Sequence, residues 1–390
     1  MIWIFITSII GILYTYAGYP LILAIIAHSK PRPRCGKSIS PAVAIVIVGY
    51  NEAHRLDAKI QTCLNQTYPK ELIRLIIASD GSTDHTKDVI SKYSEHNVSL
   101  LQFDQRRGKA ACLNDALSSI SEEFVVLTDA RQRLSPDAVE KLVFSLADPD
   151  VGAVSGELVF ENPDASDFSA GIDTYWKYEK FIRNNESISG SVVGVTGALY
   201  ALKRQYFKPI PAETILDDVL IPMQVAMTGK RVLFEKGAIA YDLPSASAKQ
   251  ERTRKIRTLA GNFQILALAP ELLSPIANPL FFRYLSHKVM RLLAPIFLIG
   301  AFISNALLID SGAIFQILMA GQLAMYGGAL MSQYSPTLNA ISVFRLAQSF
   351  LSLNWFVLLG LHHYLTNTNA HIWQRSAEAS PNGDTPKNPQ

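Results

Sequence analysis

Three short apolar segments in the N-terminal half of the chain are each followed by an acidic residue. The segments and their acids are AVAIVIV (42–48) with Glu52, LIIAS (75–79) with Asp80, and FVVL (124–127) with Asp129. Short apolar runs rich in β-branched side chains are typical of buried strands in a parallel sheet. Helical patterns lie between them, and this alternation predicts an α/β fold whose parallel sheet is covered on both faces.

Asp129 directly follows the apolar segment within the sequence FVVLTDARQRLSPD. Ligands of open α/β sheets bind in the crevice beyond the carboxyl ends of the strands. A carboxylate at this place binds a metal ion, a ribose or a phosphate-bearing cofactor, or it simply caps the following turn. The repetition of acids at three strand ends favours the binding role.

The glycine-containing segments exclude two common classes of nucleotide-binding protein. No Gly-x-Gly-x-x-Gly follows the first predicted strand, and Gly108-Lys109 lacks the upstream Gly and the Ser/Thr of a P-loop. The sequence QRRGK (105–109) still begins a predicted helix, where cations and free backbone N–H groups favour a diphosphate. Lys109 is therefore a candidate diphosphate-binding residue, with a solvated lysine at a helix start as the alternative.

Residues 1–29 predict a membrane-spanning helix, because they contain no Asp, Glu, Lys or Arg and are long enough to cross a bilayer. A cleaved signal peptide fits less well, since no basic region precedes the apolar residues and no small-residue cleavage site follows them. Four basic residues between positions 30 and 37 predict, by the positive-inside rule, that the domain at 30–250 is cytosolic. The net charge of +3 is too small to indicate nucleic-acid binding.

The C-terminal part of the chain predicts further contact with the membrane. Residues 251–288 combine basic, aromatic and apolar side chains, which is typical of interfacial helices at a cytosolic boundary. Residues 289–366 predict transmembrane helices, placed at 292–309, 313–331 and 343–365. The polar tail at 367–390 is predicted to be disordered. Three complete C-terminal spans place the tail outside, whereas a kinked or re-entrant last segment places it inside.

Seven short motifs follow one another in an order that is typical of one enzyme family. They are GYNEA (49–53), SDGSTD (79–84), RRGKAACLN (106–114), TDAR (128–131), VSGE (154–157), GVTGALYALKR (194–204) and LDDV (216–219). From about residue 42 to residue 262, the chain resembles a family 2 glycosyltransferase. It resembles more narrowly the membrane-integrated branch that includes cellulose, hyaluronan and poly-N-acetylglucosamine synthases. The resemblance implies a GT-A fold, a UDP-sugar donor and inversion at the anomeric carbon.

The resemblance also implies roles in donor binding. Glu52 and Asp80 match positions that contact the nucleoside, and Asp129 matches the first acid of the family's Asp-x-Asp, near the ribose and the diphosphate-bound metal. The second acid of that motif is replaced by Arg131, which does not bind metals. Either Mg²⁺ or Mn²⁺ is held by Asp129, the diphosphate and water, or Arg131 supplies part of the positive charge itself.

The acidic pair in LDDV matches the catalytic part of the family pattern. Asp218 matches the general base that deprotonates the acceptor hydroxyl, and Asp217 precedes it. Two acids before VLIPMQVAM also favour a helix N-terminus, and the two roles are compatible. Gly197 lies in the matched acceptor loop at 194–198, where small residues let a sugar approach the backbone.

Two other segments are candidates for acceptor binding. Tyr175 and Trp176 lie between the nucleotide half and the acceptor loop, and such rings either stack on sugars or pack into a core. The polymerising branch carries Gln-x-x-Arg-Trp, for which KQERTRKI (249–256) has the basic residues but no Trp. If Arg254 takes the place of the family's Arg, an acceptor-stacking ring is lost, which puts processive synthesis in doubt but not sugar transfer.

These features predict an integral protein of a bacterial plasma membrane with a cytosolic GT-A domain. The predicted activity is transfer from a UDP-sugar to a growing polysaccharide of the exopolysaccharide or capsule type, with coupling to export and accessory secretion subunits as further expectations. Single-sugar transfer to a polyprenyl phosphate or another lipid-linked acceptor is the alternative activity. A catalytically silent membrane adaptor is the alternative from a non-enzyme class. The other expected partners are membrane lipids, and no nucleic acid is expected.

Overall fold

The computed structural model describes residues 1–32, 36–161, 169–244, 247–367 and 371–372, without the side chains of 169–175. The strands are β1 (Val43–Gly49), β2 (Ile73–Asp80), β3 (Val98–Phe103), β4 (Phe124–Asp129), β5 (Arg133–Leu134), β6 (Val151–Phe160), β7 (Tyr200–Lys203) and β8 (Arg231–Asp242). The helices are α1 (Ile2–Leu13), α2 (Tyr19–Ser29), α3 (Ala53–Leu64), α4 (Thr86–Ser91), α5 (Lys109–Ser118), α6 (Ala138–Leu146), α7 (Ser169–Ser189), α8 (Asp217–Met227), α9 (Ala248–Leu268), α10 (Phe281–Tyr284), α11 (Met290–Leu307), α12 (Ala313–Met331), α13 (Pro336–Ala340) and α14 (Ser342–Thr366). The π-helical turns Tyr14–Gly18 and Leu285–Val289 join α1 to α2 and α10 to α11.

The strands form one mixed sheet in the order β3-β2-β1-β4-β7-β6-β8-β5. The first four strands in this order are parallel, as predicted, whereas β7 is antiparallel to both β4 and β6. In the register of the sheet, Val48 pairs with Asp129 and Gly49 pairs with Ser79. The carboxyl ends of β1, β2 and β4 therefore lie side by side, and the acids that end these strands are brought to one edge.

Burial on both faces of the sheet explains why the strand sequences are continuously apolar. Ile45 and Ile47 of β1 pack into one core cluster, whereas Val46 and Val48 pack into a second cluster on the opposite face. A strand exposed on one side alternates apolar and polar residues, but a strand covered by helices on both sides does not. Each fully buried Ile contributes about 1.5–3 kcal/mol relative to an exposed one.

Four helices are long and apolar enough to cross a membrane: Ile2–Ser29, Phe281–Leu307, Ala313–Met331 and Ser342–Thr366. The second begins eleven residues earlier than the predicted start at Leu292. The predicted region of interfacial helices at 251–288 contains α9, which ends at Leu268, and α10, which begins a long apolar helix. Two basic residues of this region, Arg283 and His287, bond to α7.

A buried network of charged side chains joins α7 to the apolar helices. The ring of His287 lies 2.9 Å from Glu186 and 3.1 Å from Glu179, which also accepts a 2.8 Å bond from Arg291. The Tyr19 hydroxyl donates to Glu186 at 2.6 Å. Buried charges are tolerated when they are paired and hydrogen-bonded, so this network fixes the α/β domain against the helices.

The described end of the chain lies beside the α/β domain. A Cβ atom built on Gly360 of α14 would lie only 2.6 Å from Cβ of Leu259, so α14 packs tightly on α9. The carbonyl oxygen of His371 accepts a 3.5 Å hydrogen bond from Arg257. This contact favours the arrangement in which residues 371–372 lie on the same side as the domain. The rest of the tail predicted to be disordered lies outside the described residues, apart from Asn367.

We expect Arg283→Met to destabilise the junction between α7 and the apolar helices. Its guanidinium donates to the carbonyl oxygens of Glu186 and Ser191 at 2.6 and 2.7 Å and to the carbonyl and hydroxyl of Ser189 at 3.0 and 2.9 Å. Loss of these bonds leaves buried acceptors unsatisfied and costs about 3 kcal/mol. The thermal unfolding midpoint in detergent should fall by several degrees, and the exposed Arg252→Met serves as control. Equal midpoints for the two variants would contradict the role given to Arg283.

Candidate active site

A cavity of about 1850 Å³ lies beyond the carboxyl ends of β1 and β4. The predicted site residues that line it are Glu52, Lys109, Asp129, Arg131, Trp176, Gly197, Asp217, Asp218 and Arg254. Typical small-molecule sites measure about 300–1,000 Å³, so this cavity has room for two substrates. Of the two remaining predicted residues, Asp80 does not line it, and the side chain of Tyr175 lies outside the described residues.

Lys109, the first residue of α5, connects two of the acids. Its ammonium nitrogen lies 2.8 Å from Asp129 Oδ1 and 3.3 Å from Asp217 Oδ2. Burial alone would lower the pKa of Lys109, but the carboxylates of Asp129 and Asp217 raise it above its usual value. Lys109 therefore stays cationic inside the cavity, and the alternative of a solvated helix-start lysine does not describe it.

Asp217 and Asp218 are the first two residues of α8, as predicted for a helix N-terminus. Both also line the cavity. The backbone N–H of Gly197 donates to Asp218 Oδ2 at 3.2 Å. Burial and the neighbouring Asp217 raise the pKa of Asp218 to about 6, against the opposing effect of Lys109 and Lys288. A carboxylate that titrates there is a stronger base than an ordinary Asp and is still ionised at neutral pH.

Asp80, which was predicted to contact the nucleoside, is enclosed by protein and does not line the cavity. It is fully buried, and its two oxygens accept the backbone N–H groups of Arg107 at 2.7 Å and Gly108 at 3.1 Å. The structure therefore uses Asp80 to hold the loop before Lys109, and its carboxylate is directed to that loop instead of to the cavity. The neighbouring Arg106 lines the cavity, with its guanidinium 3.8 Å above the ring of Tyr50.

Arg131, which replaces the second acid of Asp-x-Asp, lines the cavity and pairs with a carboxylate from another strand. Its Nη2 lies 2.5 Å from Oδ2 of Asp242, the last residue of β8, and Gln132 donates to the same oxygen at 2.9 Å. The sequence reasoning missed Asp242, although it ends an apolar strand, which is the signal that identified Asp129. The pair fixes a guanidinium beside the acid that begins the motif.

The acids at this edge do not form a complete metal cage. Within the described parts of the chain, no group of three or more His, Cys, Asp or Glu residues is placed to hold a metal ion. The side chain of Asp129 is 40% exposed and faces the cavity. Mg²⁺ binds through one or two carboxylates together with substrate phosphates and water, so Asp129 fits a metal ion when a diphosphate supplies other ligands.

Two other predicted acceptor residues, Trp176 and Arg254, also line the cavity. Trp176 packs edge-to-face on Phe160 with a centroid distance of 5.6 Å, and Arg254 of α9 lies 3.0 Å from Glu251. Both side chains line the cavity, which is compatible with acceptor binding. Their roles stay predictions.

Lys59 is a further residue that the sequence reasoning missed. It is 2% exposed, and its ammonium donates to Thr128 Oγ1 at 2.7 Å and to the carbonyl of Gln132 at 2.8 Å. These two bonds fix the residues on either side of Asp129. Lysines on amphipathic helices usually face solvent, so the sequence gives no signal for this one.

Comparison with known proteins agrees with this geometry. The family described as "Glycosyl transferase family 2" matches residues 44–210. The poly-β-1,6-N-acetyl-D-glucosamine synthase of Staphylococcus epidermidis is 22% identical over 231 residues, which cover 57% of this chain and 55% of that protein. The enzyme of the same name from Staphylococcus aureus (strain COL) is 24% identical over 231 residues with the same coverage. The chain thus spans about half the length of the curated relatives it matches.

A solved structure extends the likeness to most of the chain. A mannosyltransferase from Pyrobaculum calidifontis, in complex with GDP-Man and Mn²⁺, superposes with a TM-score of 0.68 at 23% identity. The match covers 93% of this chain and 99% of that one, so the two share the fold of the α/β domain and of most of the apolar helices. The chain contains a glycosyltransferase family 2 domain of GT-A fold and is homologous to the poly-β-1,6-N-acetyl-D-glucosamine synthases, which confirms the predicted family.

Proposed function

We propose that the protein is a membrane-bound, inverting glycosyltransferase that moves a sugar from a nucleotide-diphosphate donor to an acceptor hydroxyl. The observation that carries the proposal is the placement of Asp218, whose pKa is raised by burial to about 6, in one cavity with Lys109 and Asp129. A poor nucleophile such as a sugar hydroxyl needs a positioned base, and a departing diphosphate needs positive charge. The cavity offers both.

The proposed step is a single displacement at the anomeric carbon. The acceptor oxygen attacks this carbon, its proton passes to Asp218, and the bond to the diphosphate breaks with its electron pair leaving on the nucleoside diphosphate. Lys109 and Arg131 lie where they can meet the growing negative charge of the leaving group. Attack opposite the leaving group inverts the configuration.

Asp129 is the residue that would hold Mg²⁺ or Mn²⁺ together with the donor's diphosphate. Such an ion supplies additional positive charge to the diphosphate when it is bound. The exposed carboxylate of Asp129 supports this assignment, as does the Mn²⁺ in the related mannosyltransferase structure. The Lys109 and Arg131 cations reduce how much charge a metal ion must neutralise.

The donor and acceptor are inferred from the relatives. Relatives named as synthases of a poly-N-acetylglucosamine support a UDP-sugar donor and a growing polysaccharide acceptor, whereas the mannosyltransferase structure contains GDP-Man. Both donor types contain the diphosphate that Lys109 fits. The helices that could cross a membrane, and the basic residues after the first, support an integral membrane protein with its domain in the cytosol.

A donor panel tests the proposal. Purified protein in nanodiscs is incubated with radiolabelled UDP- and GDP-sugars, each with Mn²⁺ or with EDTA. Transfer or hydrolysis of one UDP-sugar supports the assignment, use of a GDP-sugar instead corrects the donor, and turnover of none contradicts the enzyme proposal.

We expect Asp218→Asn to lower sugar transfer by about 10²-fold or more, because general-base catalysis typically contributes 10²–10⁴-fold. Nucleotide binding, measured by calorimetry, should be retained, since the amide keeps the size of the side chain. The exposed Asp150→Asn is the matched control. Unchanged transfer by Asp218→Asn would contradict the assignment of Asp218 as the base, whereas a wild type that binds nucleotide without any transfer would favour the catalytically silent adaptor.

The transfer rate should depend on pH through Asp218. The base acts in its ionised form, and its pKa is raised to about 6, so the rate should fall as the pH drops through about 6 and stay high above it. A profile of kcat/KM between pH 5 and pH 8 measures this fall in rate, which is the acid limb of the profile. A rate that stays level down to pH 5 would mean that Asp218 is not the group whose ionisation controls the reaction.

Lys109→Met should both weaken donor binding and shift this profile. The variant removes the cation that lies between Asp129 and Asp217 and that lowers the pKa of Asp218. We therefore expect about 10-fold weaker nucleotide-diphosphate binding and an acid limb displaced to higher pH. The exposed Lys87→Met is the control. An unchanged affinity and an unchanged limb would contradict the position given to Lys109.

A further inference from the structure

Lys288 is a charged residue at the cavity for which the proposed transfer step gives no role. It lies on the π-helical turn Leu285–Val289, where the second apolar helix meets the α/β domain. A Cβ atom built on Gly194 would lie 3.8 Å from Lys288 Nζ and 3.7 Å from the carbonyl oxygen of Asp218. The ammonium therefore lies near the backbone of Asp218, close enough for its charge to act on the proposed base.

The residues around Lys288 are held in place, but the ammonium itself is not paired. On the same turn, the Ser286 hydroxyl lies 2.6 Å from that of Tyr14, and His287 lies between Glu179 and Glu186. Within the described parts of the chain, Lys288 has no hydrogen-bond or ion-pair partner, and Glu179 and Asp218 act on it only at longer range. π-Helical turns are frequent at functional sites, and this one places Lys288 at the cavity.

Other cations surround the same part of the cavity. Arg183 and Arg291 line it beside Glu179, and Arg257 of α9 lines it from another side. Arg183 and Arg291 share the single carboxylate of Glu179, which leaves this part with a positive balance even before Lys288 is counted. The ammonium of Lys288 is unpaired and lines a cavity together with these other cations, so a negatively charged ligand is the group that this arrangement would stabilise.

The cavity continues from these cations along an apolar face of α14. Leu346, Phe350, Leu353 and Val357 line it. Their spacing of four, three and four residues places them on one face of the helix. Because α14 is long and apolar enough to cross a membrane, this face offers a path for a hydrocarbon chain.

We propose that Lys288 binds the diphosphate of a lipid-linked glycan acceptor, whose hydrocarbon chain lies along this face of α14 and whose sugar hydroxyl lies at Asp218. The inference rests on the proposed function and names its acceptor class. The acceptor hydroxyl forms the new bond to the anomeric carbon and gives its proton to Asp218, and the lipid diphosphate itself stays unchanged. A phosphate acting as the nucleophile would need no base, which favours a sugar hydroxyl as the reacting group.

Two acceptors that differ only in their carrier test this inference. Protein in nanodiscs is given the donor identified by the panel, with N-acetylglucosamine either on undecaprenyl diphosphate or on a neutral octyl ether. The wild type should show a KM about 10-fold or more lower for the diphosphate-linked acceptor. Lys288→Met should raise that KM to the value of the neutral acceptor, with a smaller change in kcat, and Lys288→Arg should restore most of the preference.

The controls distinguish acceptor binding by Lys288 from a purely structural or electrostatic role. Lys30→Met removes an exposed lysine that follows the first apolar helix and should keep the preference. Nucleotide binding by Lys288→Met shows that the variant is folded.

Retained preference for the diphosphate-linked acceptor in Lys288→Met would overturn the inference, as would a shifted pH limb with an unchanged acceptor KM. Inorganic pyrophosphate that competes as well as undecaprenyl diphosphate would overturn the lipid assignment. A wild type that neither transfers the sugar nor hydrolyses the donor would instead overturn the proposed function itself.

Discussion

The geometry of the site depends on one lysine that lies between two carboxylates. Lys109 bonds to Asp129 at the end of a strand and to Asp217 at the start of a helix, so two distant parts of the chain meet at its ammonium. Without a cation there, Asp129, Asp217 and Asp218 would repel one another in a buried place. The same cation limits how far burial raises the pKa of Asp218, so the structural contact and the proposed chemistry have a common cause.

The sheet topology brings the acceptor loop to the donor edge. Because β7 inserts antiparallel beside β4, Tyr200 pairs with Leu127, and the loop before β7 reaches the carboxyl end of β4. The Thr128 hydroxyl then donates to the carbonyl of Ala198 at 2.6 Å, one residue from Asp129. A fully parallel sheet would need a crossover at this point and would carry the loop away. The mixed order therefore brings the loop before β7 and the strand-end acid Asp129 to one edge of the sheet.

The sequence predicted the strands and the acids at their ends, because both depend on local patterns of apolar and acidic residues. Asp129 was found in this way, whereas Asp217 was found through the LDDV motif, and both line the cavity. Whether a strand-end acid faces a cavity or its own backbone is decided by the neighbouring loop, so the backbone bonds of Asp80 could not be predicted from the strand pattern. Asp242 carries the same strand-end signal, but its pairing with Arg131 could not be predicted, because a pattern read along the chain does not contain a contact between residues so distant in sequence.

The junction with the apolar helices adds a constraint that no motif expresses. Glu179 and Glu186 of α7 bind His287 and Arg291 of the long helix, so these contacts fix the position of the α/β domain relative to the apolar helices. A flexible linker would allow that position to vary, and the proposed base would then meet a membrane-held acceptor only part of the time. Fixing the junction with buried charges is energetically demanding, and the proposed lipid-linked acceptor gives it a reason, because Asp218 would have to stay in register with a substrate held in a bilayer.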